Sequence, residues 1–147
     1  MPEFFAEIRK VMDEANINFQ TAELRPILST NEIIEARDVV RQVYLDEKIE
    51  QYIADIVFST RYPEKYGLKE IKDYIEFGGS PRASINLALA ARAYAFIKRR
   101  GYVIPEDVRS VAHDVLRHRI GISYEAEANN VNSDEIISKI LNKVEVP

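Results

Sequence analysis

Gly78-Gly79-Ser80-Pro81-Arg82-Ala83, followed by Ser84-Ile85-Asn86-Leu87-Ala88-Leu89-Ala90-Ala91-Arg92-Ala93-Tyr94-Ala95-Phe96-Ile97, decides both the fold class and the functional question. Ser80 is a good N-cap, and Pro81 suits the first helical position, where a missing N–H costs nothing. The alanine- and leucine-rich run behind them is strongly helix-forming. Arg82 is thereby set in the first turn, where the helix dipole is already positive. An exposed cation there is unfavourable by about 0.3–1 kcal/mol. An anion at that spot reverses the sign, because free N–H groups, dipole and guanidinium all favour it. The two glycines let the backbone approach closely whatever docks there. The plainer alternative is that Arg82 points into solvent or pairs with a carboxylate of the same chain.

Working outward, the helical signals continue in both directions. Residues 3–14 place Phe4, Phe5, Ile8, Val11 and Met12 roughly on one side, and Asn16-Ile17-Asn18-Phe19 reads as a break. Ser29-Thr30-Asn31-Glu32 is a capping box, opening a helix to about residue 44 that is expected to bury Ile33, Ile34, Ala36, Val39, Val40 and Val43. Asp46 caps the next helix, whose stripe is Ile49, Tyr52, Ile53, Ile56, Val57 and Thr60. The short connection predicts that these two form an antiparallel hairpin. Residues 61–67 read as a loop, and 68–77 as a short helix or irregular approach to the glycine pair.

The small residues of the Ser80 helix allow close packing on several sides, so it is expected to be central, ending near Arg99 or Arg100 with Gly101 as its stop. Pro105-Glu106-Asp107 opens a helix to about His118, which Gly121 ends. Residues 124–130 read as polar and extended or loop-like, and Asn132-Ser133-Asp134-Glu135 starts a last helix with Ile136, Ile137, Ile140 and Leu141. Period-two alternation is nowhere sustained. The expected fold is all-α, a bundle of about five to six helices.

Composition narrows the function classes. A chain of 147 residues with 46% hydrophobic and 30% charged residues is that of an ordinary single globular domain. The absence of cysteine excludes disulfides, thiolate metal sites and thiol nucleophiles. No apolar run approaches the length of a membrane span, and acids interrupt the N-terminus where a signal peptide would be apolar. These features predict a cytoplasmic protein with no membrane partner. The net charge of −4 argues against general nucleic-acid binding.

Catalytic apparatus is thin. The first glycine is Gly67, so no Gly-x-x-x-x-Gly-Lys-Ser/Thr phosphate loop exists in the chain, and neither a Gly-x-Ser-x-Gly elbow nor His-Glu-x-x-His is present. His113 and His118, five apart, stand about 140° around a helix from each other, unlike a pair aimed at one metal, and no metal is expected. Lys98-Arg99-Arg100 and Arg117-His118-Arg119 fall near helix C-termini, where the dipole favours cations. Asp46-Glu47 and Glu106-Asp107 read as capping acids.

The string Phe77-Gly78-Gly79-Ser80-Pro81-Arg82-Ala83 resembles the sensor 2 segment in the lid of MoxR-family AAA+ ATPases. Arg25-Pro26-Ile27-Leu28-Ser29 with Ile33, Gly101-Tyr102-Val103-Ile104-Pro105-Glu106-Asp107-Val108, Val115-Leu116-Arg117-His118-Arg119-Ile120 and Tyr124-Glu125-Ala126-Glu127 resemble other lid segments, in the right order. The resemblance implies that residues 24–147 are a helical lid, with residues 1–23 an N-terminal helix or linker, the end of the preceding ATPase core or foreign sequence. It implies a sensor 2 role for Arg82 on the ATP phosphates, with Gly79, Ser80 and Pro81 beside it in the nucleotide site. Mg2+ would be held by the core, which this chain lacks, so the chain alone is not expected to hydrolyse ATP or bind it tightly. The implied partners are the ATPase core, neighbouring subunits of a homo-oligomeric ring and an unidentified client for chaperone-like remodelling. Two other readings stay open at this point: a free-standing helical interaction module in which Gly78-Gly79 is only a tight corner, and a helix-turn-helix use of the basic helix ends.

Overall fold

The computed structural model describes residues 6, 9–11 and 26–147. The chain divides into two compact units, residues 1–34 and 35–147. In the first, residues 6 and 9–11 are helical; the rest of the helix expected over 3–14, the break at 16–19 and the boundary at 23/24 lie outside the described residues. Helix α1 (Thr30–Gln42) begins there with the predicted capping box. Ser29 Oγ accepts from Glu32 N at 3.2 Å, and Glu32 Oε2 accepts from Ser29 N at 2.6 Å and from Ser29 Oγ at 2.8 Å. These bonds, the backbone one foremost, hold the Glu32 carboxyl below its ordinary pKa.

The second unit is a helical bundle of α2 (Glu47–Arg61), α3 (Pro81–Ile97), α4 (Pro105–Leu116), the short α5 (Tyr124–Ala128) and α6 (Ser133–Lys143). The fold is all-α apart from a two-stranded antiparallel ribbon, β1 (Ile75–Phe77) against β2 (Gly121–Ile122), which pairs Ile75 with Ile122 and Phe77 with Gly121. Three residues against two give period-two alternation nothing to act on, and the sequence reading missed the ribbon. A Cβ on Gly121 would meet the ring of Phe77, an exposed side chain that would have to swing aside.

Helix α3 is central, as expected. Ala83, Leu87, Ala91 and Ala95 recur every four residues with no exposed surface, and this narrow stripe packs most extensively on α4 and then on α2. Ile56 of α2 and Val108 and Leu116 of α4 are fully buried, as are Ile136, Ile137 and Ile140 of α6, which packs on α4 and α2. Each such side chain contributes about 1.5–3 kcal/mol through burial. Every member of the stripe predicted on α2 is buried, and Asp46 caps it by accepting from Lys48 N at 3.0 Å.

Four expectations need correction. Helix α1 has no buried residue, with Ile33, Ile34 and Val39 about half exposed, so it does not form the expected hairpin with α2. The connection explains this: Tyr44 forms a parallel bridge with Tyr102, donating N–H to Gly101 O and accepting from Val103 N, and cannot serve as a tight reverse turn. Helix α4 ends at Leu116, short of His118, and Gly121 is in a strand. Residues 124–128 are helical because Ser123 Oγ accepts from Ala126 N. The 68–77 approach is a short helix as expected, a 3-10 turn (Lys69–Tyr74) running into β1.

The last correction concerns the end of α3. Its stop is Arg99, two residues before Gly101. Arg99 takes the left-handed conformation (φ 60°), donating to Phe96 O at 2.8 Å while Arg100 N donates to Ala95 O at 2.9 Å. This is a Schellman motif with arginine at the position that favours glycine. A non-glycine residue costs roughly 1–2 kcal/mol there, partly offset by the extra unfolded-state freedom of glycine. Arg99→Gly is therefore expected to stabilise the fold by about 0.5–1 kcal/mol in denaturant unfolding.

Candidate functional site at the start of α3

The approach to α3 is built against the last turn of α2. Thr60 is buried, and its hydroxyl donates to Val57 O at 2.6 Å while accepting from Gly79 N at 2.8 Å. A Cβ on Gly78 would lie 2.5 Å from Thr60 O, inside any permissible contact. On Gly79 it would sit 3.3 Å from the Ala83 Cβ and 3.4 Å from Val57 Cγ1. The glycine pair thus closes on the chain itself. That arrangement fixes where α3 begins, since Gly79 is locked to α2 one residue before the cap.

Ser80 is the N-cap residue in extended conformation and Pro81 the first helical residue, as the sequence indicated. The Ser80 hydroxyl makes no capping bond, so the first-turn N–H groups lack a side-chain acceptor. Acids stand in the first turn of α1, α2, α4 and α6 but not of α3, which has Arg82 instead. Arg82 is exposed and has no hydrogen-bond or ion-pair partner among the described residues. A cation held unpaired at a positive helix end, beside uncapped donors, fits a phosphate-bearing anion. A shallow hollow of about 180 Å³ borders Gly78, with Arg61 and Lys72 set against Glu64 and Glu76.

Two of the other arginines singled out in the sequence, Arg100 and Arg117, have local carboxylate partners, whereas the buried Arg119 Nε has no hydrogen-bond partner. Arg100 grips Asp107 through Nη1–Oδ2 at 2.7 Å and Nη2–Oδ1 at 2.5 Å, and Asp107 also accepts from Ile104 N at 2.9 Å, so this acid caps α4 as expected. Arg117 pairs with Asp134 and Asp114. His113 Nε2 lies 3.0 Å from Ser138 Oγ, and His118 is exposed. Among the described residues no helix is long and apolar enough to cross a membrane. Thr60 falls in the apolar stripe of α2, and only its partner nineteen residues on, Gly79, reveals its hydroxyl's role.

Comparisons with known proteins agree with the helical fold. Residues 69–140 match the family described as AAA lid domain. The chain is 37% identical over 123 residues to Chaperone MoxR1 of Mycobacterium tuberculosis, covering 84% of this chain and 33% of that one. It is also 37% identical over 79 residues to Protein MoxR of Paracoccus denitrificans, covering 51% and 23%. A crystal structure of a Cytophaga hutchinsonii protein assigned as an ATPase superposes with a TM-score of 0.85 at 41% identity, covering 94% of this chain and 42% of that one. The chain spans about a third of the length of the first of these relatives. With the helical bundle, the Gly-Gly-Ser-Pro-Arg helix start and these matches in agreement, the chain belongs to the MoxR family of AAA+ proteins, of which it carries the lid domain.

Proposed function

We propose that this chain is the lid of a larger ATPase of the MoxR type and that Arg82 is its sensor 2 arginine, reaching the ATP phosphates held by a separate α/β core. The observation that carries this reading is the exposed, unpaired Arg82 at an α-helix start with no first-turn acid and no capping hydroxyl. ATP would supply the phosphoryl group, and Mg2+ held by the core would neutralise part of its charge. The lid's own residues orient and stabilise. The Arg82 guanidinium and the first-turn N–H groups meet the phosphates, while Gly79, Ser80 and Pro81 fix the approach. Gly79 N is already committed to Thr60, so its role is to place the helix start.

A contact of this kind couples nucleotide state to the core–lid angle, because a lid held through phosphate oxygens is released when they leave. Repeated around a homo-oligomeric ring in the cytoplasm, that motion would remodel a client protein. The glycine pair pressed on Thr60 favours a second reading, an interaction module in which the pair is only a corner. An immunoblot of the native source, with antibody raised against this domain, separates the two. The lid reading predicts one band much heavier than 16.9 kDa, whereas a band at that size favours the module.

A further inference from the structure

Two neighbouring hydroxyls lie in the last turn of α2, and they do different things. Ser59 and Thr60 are both buried, and each donates back into its own helix, Ser59 to Ile56 O at 2.7 Å and Thr60 to Val57 O at 2.6 Å. Back-bonding of this kind is ordinary for a helical hydroxyl. Ser59 makes no further bond, whereas the Thr60 oxygen also accepts from Gly79 N at 2.8 Å. The Val57 bond uses the only hydroxyl proton, so the oxygen that meets Gly79 is held as an acceptor. The apolar stripe of α2 needs no oxygen here, since valine has nearly the same shape.

Among the described residues, this is the only side-chain hydrogen bond between α2 and the start of α3. It sits three residues before Arg82, and the Ser80 hydroxyl between them adds no capping bond. From Ser80 the helix runs on regularly, Ser80 O accepting from Ala83 N at 2.8 Å, so a shift at Gly79 is carried to Arg82. At the other end of the bond, α2 is anchored by Ile53, Ile56 and Val57 in the core.

We propose that Thr60 is a positioning residue for ATP turnover: by holding Gly79 N, its hydroxyl sets the point from which Arg82 meets the phosphates. This inference deepens the sensor 2 reading above and rests on it. Without the hydroxyl, a buried N–H lacks its acceptor, and the chain around Gly79 moves to find another. A misplacement of about 1 Å far from the chemistry costs on the order of a hundredfold in rate. Helix α3 keeps its packing on α4 when this one bond is lost, so the displacement and its cost are smaller.

The test is a double-mutant cycle in the intact protein, read as kcat at saturating ATP. Thr60→Val keeps the shape and removes the acceptor, and is expected to lower kcat about tenfold. Thr60→Ser keeps the acceptor and is expected to stay within about twofold of wild type. In the Arg82→Ala background, Thr60→Val is expected to cost less than about twofold more, because the arginine it positions is gone. A merely structural role lowers kcat by the same factor in both backgrounds, and that result overturns the proposal. An unchanged kcat in Thr60→Val overturns it too, as does a Thr60→Ser that falls as far as Thr60→Val. If denaturant unfolding shows that Thr60→Val does not fold, Gly79→Ala takes its place in the same cycle. Its Cβ presses at 3.3 Å on Ala83 Cβ and at 3.4 Å on Val57 Cγ1, which displaces the helix start and spares the hydroxyl. Wild-type turnover in Arg82→Ala would remove the sensor 2 reading and this role with it. An impaired Arg82→Ala beside a normal Thr60→Val leaves that reading standing and removes the positioning role alone.

Discussion

Arg82→Ala in the intact protein is expected to cut ATP turnover about a hundredfold or more, the effect of withdrawing one charged donor from a transferring phosphoryl group. The physical signature lies in what does not change. Arg82 is exposed and unpaired among the described residues, so no fold-stabilising contact is lost with it. Removing a cation from a positive helix start relieves about 0.3–1 kcal/mol of repulsion, so the variant unfolds at the same denaturant concentration or slightly higher. Arg82→Lys keeps the charge but loses the planar fork that matches phosphate oxygens, and its turnover should fall in between. Steady-state ATPase assays at saturating ATP, beside denaturant unfolding, check all three. Unchanged turnover in Arg82→Ala counts against the sensor 2 role, and turnover lost together with stability makes Arg82 structural.

The parts of this site that the sequence revealed are those governed by local rules. Ser80 at the cap, Pro81 after it and Arg82 in the first turn follow from positional preferences a few residues long, and the structure has each in that place. The stripes on α2 and α6 were equally readable, since 3.6-residue periodicity needs no knowledge of the partner helix. What stayed hidden depends on distant residues. Gly78 and Gly79 are small because Thr60 and Val57 crowd them, and nothing in their own neighbourhood says whether a ligand or a helix is the close object. Periodicity sorted α1 as buried because Ile33, Ile34, Val39 and Val40 are apolar, but whether a face is covered depends on tertiary context. Arg99 shows the opposite failure: the hydrogen-bonding motif that ends α3 tolerates an arginine where the sequence rule looks for Gly101.

Asp107→Asn is expected to destabilise the fold by about 2–3 kcal/mol at neutral pH, the range for charge-assisted hydrogen bonds to a buried carboxylate. Asp107 is 1% exposed and holds three donors at once: both terminal nitrogens of Arg100 and the N–H of Ile104. The figure stays below the ~3–5 kcal/mol of fully buried pairs because the Arg100 side chain is 24% exposed and can turn to water. Burial alone pushes the Asp107 carboxyl up, but the Arg100 and Ile104 hydrogen bonds and the guanidinium charge outweigh it, leaving the pKa below the ordinary aspartate value. A carboxyl depressed in the folded state binds its proton more readily when unfolded. Its contribution is therefore complete above the unfolded pKa of about 3.9 and lost as pH falls through the lower folded value. Denaturant unfolding at a series of pH values should show the gap between wild type and variant wide and constant from pH 7 to about 5, then closing below about 4. A gap that persists unchanged at pH 3 would attribute the loss to shape and not to charge. Because this pair ties the end of α3 to the start of α4, it fixes the tilt of the helix that has Arg82 at its other end. In the intact protein Asp107→Asn should therefore reduce ATP turnover less than Arg82→Ala does, and only together with a measurable loss of stability.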